Sequence, residues 1–290
     1  NSMNILNYTP KFLLKHKFIN FICKLKLQER HTKCTFNFNS SAYIDLLDPE
    51  PRNIYIKKVF EPFFYKIALC FIPKSGIFFD IGANMGFCSF GLIKERPEVN
   101  YHLFEANQQL VNLISRSKEL PENNKSLIFN NFGCLSDKSG FSNFSIDNNQ
   151  LGQSHTSSDS EIGIQTPNIV LDEYCLSNHI SYVDFAKLDI EGQEFPAIKG
   201  WKKYLSKKSV HSIFMECFPI NVSRYGIDIR EPLNYLEDFG YTLYLCKKQD
   251  FCNFADKPTL KKFPHGILPV AKFNAEDYPP DFSTEVLAVA

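Results

Sequence analysis

The sequence predicts an α/β protein built on a mostly parallel, seven-stranded sheet with helices on both faces. Three observations lead there. From Gly76 onward, apolar runs of strand length alternate with segments of helical periodicity, the pattern of a parallel sheet covered on both sides. The run Gly76-Ile77-Phe78-Phe79-Asp80-Ile81-Gly82-Ala83-Asn84-Met85-Gly86 ends in an acid and then two glycines, which marks a buried strand, a sharp turn and the start of a helix. Four acids, Asp80, Glu105, Asp189 and Glu216, close four separate apolar runs, at the end of the strands where open α/β sheets bind ligands.

Each element follows from its local pattern. Cys34 to Asp45 holds two alternating runs around Asn39-Ser40-Ser41, a hairpin signal. Between Ile54 and Phe71, Val59, Phe60, Phe63, Phe64, Ile67, Ala68 and Phe71 recur at near-helical spacing, so one helix is expected, ending before Pro73. Strands are expected at 77–81, 101–105, 127–132, 184–189, 212–217, 241–246 and 284–289, and helices near 87–95, 107–118, 193–205 and 230–239. The last helix has Pro232 in its first turn and Gly240 just past its end, where each is favoured. Between 136 and 168 the alternation breaks into an insertion with an edge-strand pattern over Gly140–Ile146 and a polar run over Gln153–Ser160. Long irregular insertions at the active end of such a sheet are commonly functional, so this one is assigned to the acceptor pocket. Lys247–Asp281, with five prolines, reads as extended and irregular. The expected organisation is an N-terminal layer over 1–75 packed on a domain spanning 76–290.

Composition excludes several classes. With 32 basic and 32 acidic residues the chain has no net field to draw it to nucleic acid. Nine scattered cysteines without a Cys-x-x-Cys pair argue for reduced thiols in a cytoplasmic setting, not for a disulfide frame or a zinc site. No run has the roughly 18 apolar residues of a membrane span, nor the core of a secretory signal. The stretch 11–33 is different: Lys11, Lys15, Lys17, Lys24, Lys26, Arg30 and Lys33 meet one acid, Glu29, among Phe, Leu and Ile. That pattern fits a helix packed on the domain with its lysines in water, or a peripheral contact with an anionic membrane or a partner.

The glycine spacing selects the cofactor. A dinucleotide fingerprint needs Gly-x-Gly-x-x-Gly, but Asn84 and Phe87 stand at the second and third glycine positions after Gly82. Asp80 suits an ammonium group, the backbone between Gly82 and Gly86 at the helix start suits a carboxylate, and Glu105 suits the two hydroxyls of a ribose. An aminoacyl nucleoside such as S-adenosylmethionine carries all three.

Phe79-Asp80-Ile81-Gly82-Ala83-Asn84-Met85-Gly86, then Phe104-Glu105-Ala106-Asn107, then Lys187-Leu188-Asp189-Ile190-Glu191-Gly192-Gln193-Glu194 resemble the FkbM family of S-adenosylmethionine-dependent methyltransferases, over about Tyr55–Pro219. The resemblance implies a Rossmann-like class I methyltransferase fold and O-methylation of a hydroxyl on a sugar, glycolipid or polyketide. It places Asp80, Gly82, Asn84, Gly86, Glu105 and Ala106 at the cofactor, with Asp189 beside its methionine end. Glu191 and Glu216 then border the acceptor as candidate bases, because carboxyls among apolar strands have raised pKa values. His155 is the rival base, since an imidazole titrates near neutrality. A metal-independent enzyme is expected, because Lys187 stands beside the carboxylates. The alternatives are a methyltransferase of nucleic acids or other small molecules, and a non-catalytic binding module of the same fold.

Overall fold

The computed structural model describes residues 12–146, 151, 154–156 and 163–290. The chain opens with α1 (Phe12–Lys24), then the antiparallel hairpin β1 (His31–Phe36) and β2 (Ser40–Asp45), then α2 (Pro49–Lys57) and α3 (Pro62–Phe71). Where spacing alone predicts one helix over 54–71, the chain forms two. Pro62 cannot continue a helix from the preceding turn, and Lys58 closes α2 in the left-handed region at φ 61°. The start also moves back, because Asp48 caps α2 through Glu50 N and prolines fill its first turn.

From there strands and helices alternate: β3 (Ile77–Ile81), α4 (Phe87–Leu92), β4 (Asn100–Glu105), α5 (Gln108–Lys118) and β5 (Leu127–Phe132). A small sheet follows, built from β6 (Cys134–Leu135), β7 (Phe141–Ser145), β8 (His155–Thr156) and β9 (Ile164–Ile169) in the order β6-β9-β7-β8. The alternation then resumes with α6 (Leu171–Ser177), β10 (Phe185–Leu188), α7 (Glu194–Lys199), α8 (Lys202–Ser206), β11 (Ser212–Cys217), α9 (Pro219–Ser223), α10 (Arg230–Asp238) and β12 (Thr242–Leu245). The hairpin β13 (Thr259–Phe263) and β14 (Gly266–Phe273) precedes the last strand, β15 (Thr284–Val289). The helix expected over 193–205 is broken at Gly200, and the one expected over 87–95 ends at Leu92.

The main sheet runs β13-β14-β12-β15-β11-β10-β3-β4-β5. It has nine strands, where the sequence predicts seven. The two extra strands come from the proline-punctuated stretch 247–281: Pro264 sits in the hairpin turn, and Pro269 falls where β14 has β13 as its one neighbour, so the sheet tolerates both. Leu268, Val270, Ala271 and Phe273 are buried along β14, which secures the hairpin on the core.

β3 pairs in parallel with both β4 and β10. The chain therefore winds outward to β5 on one side and returns on the other through β10 and β11, which leaves a crevice at the carboxyl ends of β3 and β10. β15 is antiparallel to its neighbours β11 and β12. Phe78 and Phe185 stack at 5.9 Å on one face, and Phe79 stacks on the buried Trp201 at 5.3 Å on the other. Each such ring contributes about 1.5–3 kcal/mol by leaving water.

The N-terminal hairpin shares the first of these faces. Tyr43 N donates to Ser117 Oγ of α5 at 2.7 Å, Asn123 Nδ2 donates to Ser41 O at 2.9 Å, and Cys34, Phe36 and Ile44 are buried in the same core as Phe90 and Ile114. All nine cysteines are free, and among the described residues no helix is long and apolar enough to cross a membrane.

Candidate active site

The crevice at the switch point encloses about 390 Å³. Its cofactor half is made by two consecutive strand ends. Gly82 N and Ala83 N both donate to Phe104 O at 3.0 Å, which fastens the turn after β3 to the tip of β4. Gly82 has φ +78°, and a Cβ there would lie 1.7 Å from Asp189 O, so only glycine lets the β10 backbone pass. Asn84, at φ 53°, donates its N–H to Glu105 Oε2 at 2.8 Å, while Asn107 N donates to Oε1 at 2.8 Å.

Glu105 is 8% exposed. Burial pushes its pKa up to about 7, although the N–H groups of Asn107, Asn84 and Ala106 pull the other way. Each carboxylate oxygen has lone-pair capacity beyond these bonds, so Glu105 can still accept from a diol. Asn84 also lines the crevice, and its Oδ1 is buried without a partner. An orphaned acceptor beside a carboxylate that faces open space fits a ligand rich in hydroxyl and amino donors.

Asp80 is placed differently from the sequence expectation. It is fully buried beneath α4, where Oδ2 accepts from Ser89 N at 3.2 Å and Ser89 Oγ at 2.6 Å, and it does not line the crevice. The cause is strand alternation: Phe78 and Asp80 face the α4 side of β3, and Phe79 and Ile81 face the other. Burial raises Asp80 to about 6. Gly86 likewise lies behind the crevice; at φ +78° it precedes α4, and a Cβ would meet the Phe90 ring at 2.5 Å. Gly82, Asn84, Glu105 and Ala106 do line it, along with Asp189, Glu191 and Glu216.

The acceptor half is carboxylate-rich and assembled from distant segments. Lys187, 8% exposed, leaves β10 on the same face as its register partner Asp80 and pairs with Asp189 Oδ2 at 2.7 Å. Burial opposes the charge on Lys187, but Asp189, Cys88, Asp80 and Glu61 together outweigh it and raise its pKa. The turn beyond is held by buried Glu194, whose Oε1 accepts from Ile190 N at 3.0 Å and Gly192 N at 3.3 Å. This puts Glu191 at φ 56° with its carboxylate toward α9, where Asn221 Nδ2 donates to Oε2 at 2.9 Å. Burial first and the charge of Asp189 second raise Glu191, and Arg224, His155 and the Asn221 bond hold that rise back. Glu216, at the end of β11, is raised further by burial and then Asp189, against the pull of Lys187.

His155 lies in β8 opposite Ser145; its neighbours Ser154 and Thr156 line the crevice with Phe144 and Leu151. Most of the polar run Gln153–Ser160 lies outside the described residues.

Sequence reasoning missed part of the wall. Glu50, Phe60 and Glu61 of the N-terminal layer line the same crevice, where both acids feel the charges of Asp189 and Lys187. Glu61, at φ 26°, and Lys58, at φ 61°, bend the α2–α3 link so sharply that Phe60 turns away from the helical face its spacing implies. Asn37 clamps that bend, donating Nδ2 to Phe60 O at 2.8 Å and accepting from Phe60 N at 2.6 Å, and Phe60 then stacks on Phe87 at 5.0 Å. Glu50 and Glu61 keep solvent-exposed surface within the crevice, and both carboxyls are raised by the partial loss of water there and by neighbouring acids. Nothing in a run of 12 residues signals which side chain a left-handed bend will redirect. Among the described residues no group of three or more His, Cys, Asp or Glu has the geometry to hold a metal ion.

A parallel sheet wound both ways from β3, a glycine turn beneath a carboxylate-tipped neighbour, and an antiparallel β15 beside β11 together define a class I methyltransferase. The Methyltransferase FkbM domain model matches residues 80–243, more than half of the 290 residues, and the chain belongs to the FkbM methyltransferase family, with S-adenosylmethionine as its cofactor. No curated protein matches the chain in sequence. Among solved structures it is similar to M. jannaschii TYW2 in complex with AdoMet (12% identity, 90% of this chain and 86% of that one, TM-score 0.38). It is similar also to M. capricolum TrmK in complex with S-adenosyl-homocysteine (11% identity, 76% and 70%, TM-score 0.36) and to precorrin-6y C5,15-methyltransferase from Geobacter metallireducens (11%, 77% and 85%, TM-score 0.38). Likenesses this distant bear on neither acceptor nor mechanism.

Proposed function

We propose that this methyltransferase acts on oxygen, methylating a hydroxyl of a glycan or a related natural product without a metal. The observation that carries the reading is the pair Glu191 and Glu216, carboxyls raised by burial and by Asp189, which line the crevice from the turn after β10 and from the end of β11. A carboxylate raised from its ordinary value, as Glu191 is, is better matched to taking the proton of an alcohol as that oxygen is alkylated, whereas Glu216, raised to about 10, holds its proton at neutral pH and can donate to the acceptor. A polar wall of carboxylates also suits a polyhydroxylated acceptor, whose O–H groups need acceptors.

When bound, S-adenosylmethionine supplies a methyl group on a positively charged sulfur. Glu105 and Asn84 would hold its ribose, and Asp189, fixed by Lys187, would take its amino-acid end. Glu191 is the base. Asn221 orients it, and the charges of Arg224 and His155 hold back the rise that burial and Asp189 cause. Glu216, with Glu50 and Glu61, holds the acceptor's other hydroxyls and aligns the reacting oxygen, and alignment supplies a large part of such rates.

Nucleic acid as acceptor is the weaker reading, because six acids, Glu50, Glu61, Glu105, Asp189, Glu191 and Glu216, line the crevice against two cations, Lys187 and Arg224, a poor setting for phosphates. Incubation with methyl-labelled cofactor and a panel of glycans, glycolipids and RNA tests the choice. Label on a hydroxyl, removed by mild glycan-specific hydrolysis and unaffected by chelators, is expected; label confined to RNA or to nitrogen overturns the reading.

A further inference from the structure

The methyltransferase site makes no use of α1, yet α1 has a defined outer face. Ile19, Ile22 and Cys23 are buried, with Ile19 and Cys23 in the core that the N-terminal hairpin shares with the sheet. On the opposite side Leu14, Lys17, Phe21 and Lys24 recur at the spacing of a single helical face and are exposed. The stripe continues past the helix. Leu27 N donates to Ile22 O at 2.9 Å and Lys26 N to Cys23 O at 3.0 Å, with Lys26 left-handed at φ 58°, so the exit is a closed cap holding Leu25, Lys26 and Leu27 in place. Leu14, Phe21, Leu25 and Leu27 are 52%, 59%, 52% and 72% exposed, and no other surface segment of this length carries four such side chains among the described residues.

We infer that this face is a docking surface for an anionic lipid bilayer. Four large apolar groups interleaved with lysines match the interfacial mode, in which the apolar chains enter the headgroup boundary and the lysines meet lipid phosphates. The charge balance favours that occupant over a second copy of the chain. Arg30 is engaged by Asp45 and Lys33 by Glu122, and against Lys17, Lys24 and Lys26 the stretch 11–33 carries one acid, Glu29. Two such faces pressed together would set lysine against lysine. Position supports the same conclusion: Arg52 Nε bonds His16 Nδ1 at 3.3 Å, joining α1 to α2, and the first turn of α2 carries Glu50 into the crevice wall. A bilayer against α1 would therefore lie next to the layer that walls the acceptor half.

Flotation of the full chain with vesicles tests this, using phosphatidylcholine alone and phosphatidylcholine with about one-third phosphatidylserine. Partition onto the anionic vesicles alone is expected, and it should be released when salt is raised to about 1 M, where screening is confined to a few ångströms. Lys17→Ala/Lys24→Ala/Lys26→Ala should weaken partition by on the order of a hundredfold. Phe21→Ser/Leu25→Ser should abolish it with a nearly unchanged thermal midpoint, since both side chains are more than half exposed. Equal partition onto neutral vesicles, or none onto anionic ones, overturns the inference. So does a fall in thermal midpoint for the serine variant, which would show the stripe is covered within the chain. A dimer in the wild type that the serine variant dissolves would make a second copy the occupant, and would overturn it as well.

Discussion

The two halves of the crevice are built by opposite means. The cofactor half comes from neighbouring strand ends, β3 and β4, and is held almost wholly by backbone: Gly82, Ala83 and Asn84 give their N–H groups to Phe104 O and to Glu105. The acceptor half gathers side chains from α2, the α2–α3 link, β10, β11, α9 and the small sheet, and is held by side-chain bonds such as Asn37 to Phe60 and Asn221 to Glu191. A backbone cradle tolerates no change of shape, whereas a side-chain wall can be altered one group at a time. The first suits an invariant ligand, the second an acceptor that differs from one enzyme to the next.

The largest expected effect is at the joint between the halves. Gly82→Ala puts a Cβ 1.7 Å from Asp189 O at φ +78°, and urea denaturation should show a loss of roughly 3 kcal/mol or more. Near-normal stability would mean that the two halves do not meet rigidly here. Next comes Glu191→Gln. Turnover should fall by about 10²- to 10⁴-fold while calorimetry finds cofactor affinity nearly unchanged. If affinity falls in step with turnover, Glu191 belongs to the cofactor half.

Glu105→Gln should do the reverse, weakening cofactor binding by about ten- to a hundredfold, the range for hydrogen bonds to a charged group. Its pH dependence sharpens the contrast. The carboxyl is raised to about 7, so wild-type affinity should strengthen as pH rises through that value, and the Gln variant should lose the step. Stability moves oppositely. Folded pKa values above unfolded ones mean that the folded chain binds more protons, so the stabilisation from the buried Glu105 and Glu194 is complete below about pH 4.5 and is lost as pH rises through about 7. Thermal midpoints of the ligand-free protein should therefore fall between pH 5 and pH 8, and Glu105→Gln should flatten the slope.

A smaller effect is expected from Asn37→Ala, which releases both bonds on Phe60 and frees the α2–α3 link. The acceptor KM should rise several-fold and stability drop by about 1 kcal/mol, with cofactor affinity intact. Smallest is Asp80→Asn. Because Asp80 serves Ser89 beneath α4, titration calorimetry should find cofactor affinity changed by no more than about twofold; a larger loss would return Asp80 to the cofactor half.

Legibility in the sequence follows the same division. The strands from 77 to 132 stand within a residue of their expected bounds, and Gly82, Asn84, Glu105 and Ala106 line the crevice at their carboxyl ends. The face Asp80 takes is not legible, because a run such as Phe78-Phe79-Asp80-Ile81, apolar on both sides of a buried strand, does not say which way an acid points. The β13–β14 hairpin was hidden by prolines that sit at its turn and on its thinly paired stretch. Glu50 and Glu61 carry no signal, because their role depends on a link bent at Lys58 and Glu61 and clamped by Asn37, 23 positions upstream of Phe60.

The amino-acid order alone determined the alternating sheet, the glycine turn and the carboxylate at the second strand tip, because each depends on periodicity and on contacts between successive elements. Tertiary structure decided which acids face the crevice, which lysine is buried among them, and that the N-terminal layer supplies part of the wall. Those are questions of direction. Direction is set where segments far apart in the chain pack together, and one residue of register or one left-handed bend reverses it.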